Sequence, residues 1–235
     1  MPDRSLADDL VATLEAARRA ERDVFGALDP AVRDAPLREG DWSPKDHQAH
    51  LSAWKARHAD RFAAARTGTE LPEWEDETDV VNARLHATRV EWSWDDVARE
   101  ADDVSQRLAD EIRATDPELI LAGEHLLSGT FGNGAYHAQE HFGWLLDARI
   151  GVDEERVSSF VDEVERTVRD SSLPDRERGA GIYNTACFHA LRGRTDRARP
   201  LLREAFRIRP DLVEWARQDD DLLALSDEID SLAAQ

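Results

Sequence analysis

The chain has 235 residues, which at roughly 150 residues per domain implies one large or two small domains; we expect two. Hydrophobic residues make up 41% and charged residues 34%, with 9 Pro and 12 Gly, a balance that excludes collagenous, disordered and low-complexity classes. Thirty Lys+Arg against 50 Asp+Glu leave a formal charge of −20, a field that repels phosphate backbones and anionic lipid headgroups, so neither nucleic acid nor a membrane surface is expected as a partner.

Cys187 is the single cysteine, which rules out an intrachain disulfide and a multi-cysteine zinc site and fits a reducing compartment. Residues 1–23 contain no apolar core of signal-peptide length, and no uninterrupted apolar run approaches about 18 residues. A cytoplasmic location is the expectation. The two lysines, Lys45 and Lys55, stand among 28 arginines, a bias in which we read no mechanism.

Apolar residues recur at spacings of three and four along nearly every long segment, and period-two runs of β-branched residues are missing. The fold class is therefore all-α. Leu6, Leu10, Leu14, Ala17, Phe25 and Leu28 form one stripe on a first helix, which the Asp29-Pro30 turn and the loop from Pro36 to Gly40 terminate. A second helix has a well-marked start: Ser43 as N-cap, Pro44 in the first helical position and Asp46 in the first turn. Trp54 and Phe62 mark its core face. Residues 66–79 read as an acidic loop, with six acids between Glu70 and Asp79. Two helices fit 79–114, or one long helix bent near Trp92-Ser93-Trp94-Asp95, where Ser93 or Asp95 caps a restart. After Pro117 and a short region at 119–130, Gly132-Asn133-Gly134 precedes a helix that ends at Gly151. Four long elements are the count for an up-down four-helix bundle, placed at residues 1–151.

Residues 152–235 form the second part. A helix at 153–170 leads to Leu173-Pro174, then two helices at 176–192 and 195–208 are separated by Gly193 and closed by Pro210. Ala186, Gly193, Ala198, Ala205 and Pro210 stand where a tetratricopeptide repeat places its small residues, its turn and its terminal proline. Tyr183, Leu191, Leu201, Leu202 and Phe206 are expected to fill the remaining interface, with the Trp215 helix as a cap. One such repeat cannot bury its own faces, so this hairpin must lean on other helices or another chain.

Chemistry points to the histidines. His137 and His141 are four apart on the last bundle helix and so share a face, the spacing of two ligands for one metal ion. His50, on the second helix, supplies a third imidazole if the bundle brings the two helices face to face. Glu140 is a candidate general base or an acceptor for an imidazole N–H, against the alternative of a solvated acid. His47, one turn before His50, either replaces it as a ligand or orients it. Asp46 reads as a helix-start acid. Trp54, Trp144, Tyr136 and Phe142 read as core or pocket wall, and Cys187 as a buried inert thiol. His58, His86, His125 and His189 have no partner spacing. No Gly-rich phosphate loop, HExxH or GxSxG is present, so nucleotide hydrolysis and serine chemistry have no motif to stand on.

On Trp42-Ser43-Pro44-Lys45-Asp46, His50-Leu51 with Trp54, Asn82-Ala83, and His137-x-x-x-His141, residues 5–150 resemble the DinB-like superfamily, including its YfiT-like and ClbS/DfsB-like four-helix bundles. The resemblance implies a divalent metal, zinc or nickel, on His50, His137 and His141. With three protein ligands, positions remain for water or substrate, as in catalytic sites. It further implies thiol-dependent transfer or isomerisation with a low-molecular-weight thiol, or hydrolysis of a reactive small molecule, in detoxification or self-protection. A different class of function is an interaction protein whose bundle groove and tetratricopeptide-like tail bind a peptide or protein partner, a basic one given the charge. Homodimer formation is compatible with both.

Overall fold

A computed structural model describes residues 5–38, 41–70, 77–123 and 125–234, and it is all-helical, with no strand among those residues. In chain order the helices are α1 (Leu6–Gly26), α2 (Pro30–Arg33), α3 (Pro44–Thr67), α4 (Thr78–Ala87), α5 (Trp94–Ala114), α6 (Pro117–Ala122), α7 (Leu126–Gly132), α8 (Ala135–Asp147), α9 (Glu154–Arg169), α10 (Asp175–Leu191), α11 (Thr195–Ile208), α12 (Leu212–Ala216), a 3₁₀ helix (Asp220–Glu228) and α13 (Ile229–Ala233). Among the described residues, no helix is long and apolar enough to cross a membrane. The chain divides into two compact units, Leu10–Phe160 and Met1–Asp9 with Val161–Gln235. The division falls within α9, beyond Gly151, where the sequence pattern changes.

In Leu10–Phe160, α3 and α5 pack extensively on each other. The α5 stripe of Val97, Ala101, Val104, Leu108 and Ile112 is buried, the three- and four-residue spacing of one helix face. The segment expected at 79–114 is two helices, and Ser93 caps the second by accepting from Asp96 N at 3.2 Å. The capping of α3 is reciprocal: Ser43 Oγ accepts from Asp46 N (3.1 Å) and Asp46 Oδ2 accepts from Ser43 N (2.9 Å), with Pro44 in the first turn. Gly68 ends α3 in the left-handed region at φ 66°. Of the acidic loop expected over 66–79, residues 71–76 lie outside the described residues.

The short region at 119–130 contributes α6 and α7. Gly134 makes the tight passage from α7 to α8, since a Cβ there would lie 2.5 Å from the Thr130 carbonyl oxygen. That passage sets the start of α8, and α8 packs on α3.

In the second unit, α10 and α11 pack extensively on each other, α10 meets the 3₁₀ helix, and α11 meets α13. Ala186, Ala198 and Ala205 are fully buried, as close approach of two helices requires, and Gly193 turns the chain at φ 69°. Leu191 is a correction: expected in the interface, it is 54% exposed. It is the last residue of α10, where the chain already leaves the contact. Trp215 is 72% exposed, and α12 buries Leu212 and Ala216 instead.

Candidate metal centre

Helix α3 buries an unusually polar set of side chains: Asp46, His47, Gln48, His50, Ser52, Lys55 and His58. Burying such groups is unfavourable unless each finds a partner or is left uncharged, so their partners define the interior. The partner helix for two of the imidazoles is α8, on which His137, His141 and Trp144 follow at i, i+4 and i+7 and therefore share a face.

His50, His137 and His141 converge, each offering one nitrogen within 4.8 Å of the others. His50 Nε2 and His137 Nε2 are 3.0 Å apart. This is the length of an N–H···N hydrogen bond, and also the spacing of two nitrogens that share one ion at roughly 2.0–2.1 Å each. The ring centroids of His137 and His141 are 4.8 Å apart and those of His50 and His141 5.0 Å. Neither His50 Nδ1 nor His137 Nδ1 has a partner among the described residues, so the Nε2 atoms are the ones turned inward.

The fourth imidazole is His47, whose Nδ1 is 2.7 Å from His141 Nδ1. With His141 Nδ1 donating and His47 Nδ1 accepting, the lone pair of His141 sits on Nε2 and is left for the centre. His47 therefore positions His141, where the sequence placed it beside His50. Trp42 lies 4.9 Å from His50, ring to ring, and stacks on His86 at 5.4 Å. Trp144 lies 4.6 Å from His141 and is 47% exposed, so it is wall rather than core. Phe142 is fully buried core, and Tyr136 stacks on Phe131. Trp54 is half-buried and donates from Nε1 to Asn82 Oδ1 at 3.1 Å. Glu140 is exposed and is not among the three converging groups.

Electrostatics keep the imidazoles neutral. Burial holds His50 down at about 3, with further lowering by His137 and His47. Burial and then Lys55 hold His137 at about 4, Glu21 opposing. His47 is held at about 4 by burial against the carboxylates of Asp46 and Asp41. His141 lies well below its ordinary value through burial and the neighbouring imidazoles. At neutral pH each ring is thus uncharged and carries one nitrogen lone pair, the form in which imidazole binds a metal.

Comparison with protein-family models, curated proteins and solved structures finds no match. The site is read from its own chemistry.

A buried ionic cluster lies near the imidazoles. Lys55 Nζ pairs with Glu21 Oε1, both side chains fully buried. Gln48 Nε2 donates to Glu21 Oε2 at 3.1 Å and Arg18 Nη1 pairs with the same oxygen at 3.3 Å. Arg18 also reaches Asp102 Oδ1 (2.6 Å) and donates to the Ala98 carbonyl (3.1 Å). Burial pushes the Glu21 carboxyl up, but Lys55 and Arg18 outweigh it and hold it below the usual range. Burial lowers the Lys55 ammonium, against the opposing pull of Glu21. Sequence reasoning missed this cluster, although Lys55 fell in register with Leu51 and Phe62, a charge on an apolar face. Elsewhere, His58 Nε2 lies 3.1 Å from the Leu126 carbonyl and from Thr130 Oγ1, tying α3 to α7. Cys187 is buried, and burial with Asp219 nearby pushes its thiol far above its ordinary value, so it is unreactive.

Proposed function

We propose that Leu10–Phe160 is a DinB-like four-helix bundle that holds one divalent cation on His50, His137 and His141. It acts on a small reactive molecule as a metal-dependent transferase or hydrolase, in detoxification or self-protection. The observation that carries this reading is the convergence of three neutral imidazoles from two helices, with two Nε2 atoms 3.0 Å apart. The family assignment draws on the sequence resemblance. For Val161–Gln235 the tetratricopeptide-like reading draws on the buried small residues between α10 and α11.

An all-imidazole set suits zinc or nickel. A cation with three protein ligands supplies an acidified water or an ionised thiol at its open positions. The remaining work belongs to the chain. His47 holds the ring of His141 through its Nδ1 contact. Trp42, Trp54 and Trp144 stand beside His50, His47 and His141, giving flat apolar surface for the body of a substrate and shielding the reacting atoms from water. A low-molecular-weight thiol is the co-substrate that the resemblance favours.

The test is elemental analysis of the isolated full-length protein. We expect close to one zinc or nickel per chain after gel filtration, lost in His137→Ala/His141→Ala. Protein that emerges metal-free and also refuses added zinc and nickel overturns the proposal.

A further inference from the structure

The second unit contains a cluster that the proposed centre leaves unused. Asp162 and Glu165 lie three apart on α9, hence on one helix face, and His189 comes from α10. One oxygen of each acid and one nitrogen of His189 lie within 4.8 Å of one another. His189 is fully buried, and neither Nδ1 nor Nε2 has a partner among the described residues. A buried imidazole with both nitrogens unsatisfied is unfavourable and requires an explanation. Its neighbours offer two carboxylates, and a cation held jointly by all three supplies the bond missing at one of the two nitrogens.

Charge balance points the same way. Asp162 pairs with Arg197 at 2.6 Å, Glu165 with Arg169 at 2.6 Å, and Glu204 also pairs with Arg169. With Arg194 and Asp196 also acting on His189, four carboxylates face three guanidinium groups, leaving negative charge beside a buried imidazole. Burial pushes the Glu165 carboxyl up against the pull of Arg169 and Arg197, and Asp162 and Glu204 add to the rise, as crowded acids do. Burial and Arg197 lower His189 to about 4, so the ring is neutral and its lone pair available.

We propose that Asp162, Glu165 and His189 form a second divalent-cation site, distinct in chemistry from the three-imidazole centre. Two carboxylates and one imidazole make a harder donor set, which favours manganese(II) or a similar oxygen-preferring ion. Arg197 holds Asp162 by Oδ1 and Arg169 holds Glu165 by Oε1, which restricts both carboxylates and leaves each a second oxygen for the ion. Bringing donors within 4.8 Å to the roughly 3.0–3.4 Å that a shared ion imposes needs only side-chain rotation by two acids that are partly solvent-exposed.

Manganese(II) titration of the full-length protein, with free ion measured by electron paramagnetic resonance, tests this. We expect one bound manganese per chain, weakened at least about tenfold in Asp162→Asn/Glu165→Gln and in His189→Gln, and retained in His137→Ala/His141→Ala. The acid pair provides the decisive variant, since those side chains are not in the core; circular dichroism confirms its fold. No manganese uptake, or uptake unchanged in the Asp162→Asn/Glu165→Gln protein, overturns the site and leaves an ion-pair network alone. Zinc or nickel retained on the three imidazoles is unaffected by either result.

Discussion

The two units are made of the same material and fill their interiors differently. Val161–Gln235 is held by Leu201, Leu202, Phe206 and fully buried alanines, with His189 as its one buried imidazole. Leu10–Phe160 buries Glu21, Gln48, Lys55, His47, His50, His58 and His141. A helical unit of this size does not need such groups to be stable; apolar side chains of equal volume serve as well or better. Their presence marks the first unit as built around polar chemistry, while the second is built around close helix contact.

The largest effect is expected where that contrast is sharpest. Glu21→Ala leaves the Lys55 ammonium uncompensated in the interior and should cost roughly 3–5 kcal/mol, read from urea denaturation; Lys55→Ala, which leaves Glu21 to Arg18 alone, should cost somewhat less. Glu21→Leu with Lys55→Met should recover much of the loss, since both charges leave together. Single variants as stable as the parent protein would mean that the interior of the first unit tolerates bare charge, and the contrast would fail.

Next in size is the response to acid. His47 and His137 are held at about 4 and His50 at about 3, and His58 at about 4 by burial first, against 6.5 in the unfolded chain. Between these values the unfolded state binds more protons than the folded state, so stability is complete above about pH 6.5 and falls as pH drops toward 4. Lowering pH from 7.5 to 5 should reduce Tm by roughly 5–10 °C. Bound zinc should raise Tm at pH 7.5 and lose that effect at pH 5, because protons compete for the same nitrogens. A Tm flat over this range would show that the imidazoles are not buried in neutral form.

These sites were unequally legible in the sequence. His137 and His141 announce themselves because ligand spacing is a local, single-helix property, and the start of α3 was visible because capping is local too. The pairing of Lys55 with Glu21 joins residues 34 apart in sequence, and that of His47 with His141 joins residues 94 apart. Which residues face each other across helices depends on rotation and register, which periodicity leaves open. His189 had no spacing signal because its carboxylate neighbours lie on a different helix. Leu191 went astray for the complementary reason: apolar character identifies a candidate for burial, but a helix end places such a residue outside the contact.

The smallest effect sharpens the comparison from the surface. Helix α3 also carries an exposed interhelix ion pair, Arg66 with Glu111 of α5, in which Nε and Nη2 both donate to Oε2 at 3.2 and 3.1 Å. Arg66 is 42% exposed, whereas Lys55 on the same helix is fully buried. Water already solvates the Arg66 guanidinium, so little desolvation is at stake, and fixing a long side chain offsets part of the attraction. Arg66→Ala should therefore change stability by no more than about 1 kcal/mol, and the difference should shrink as salt is raised. The Glu21–Lys55 pair, screened by protein rather than by ions, should show almost no salt dependence. If Arg66→Ala were as damaging as Lys55→Ala, burial would not be what separates the two pairs.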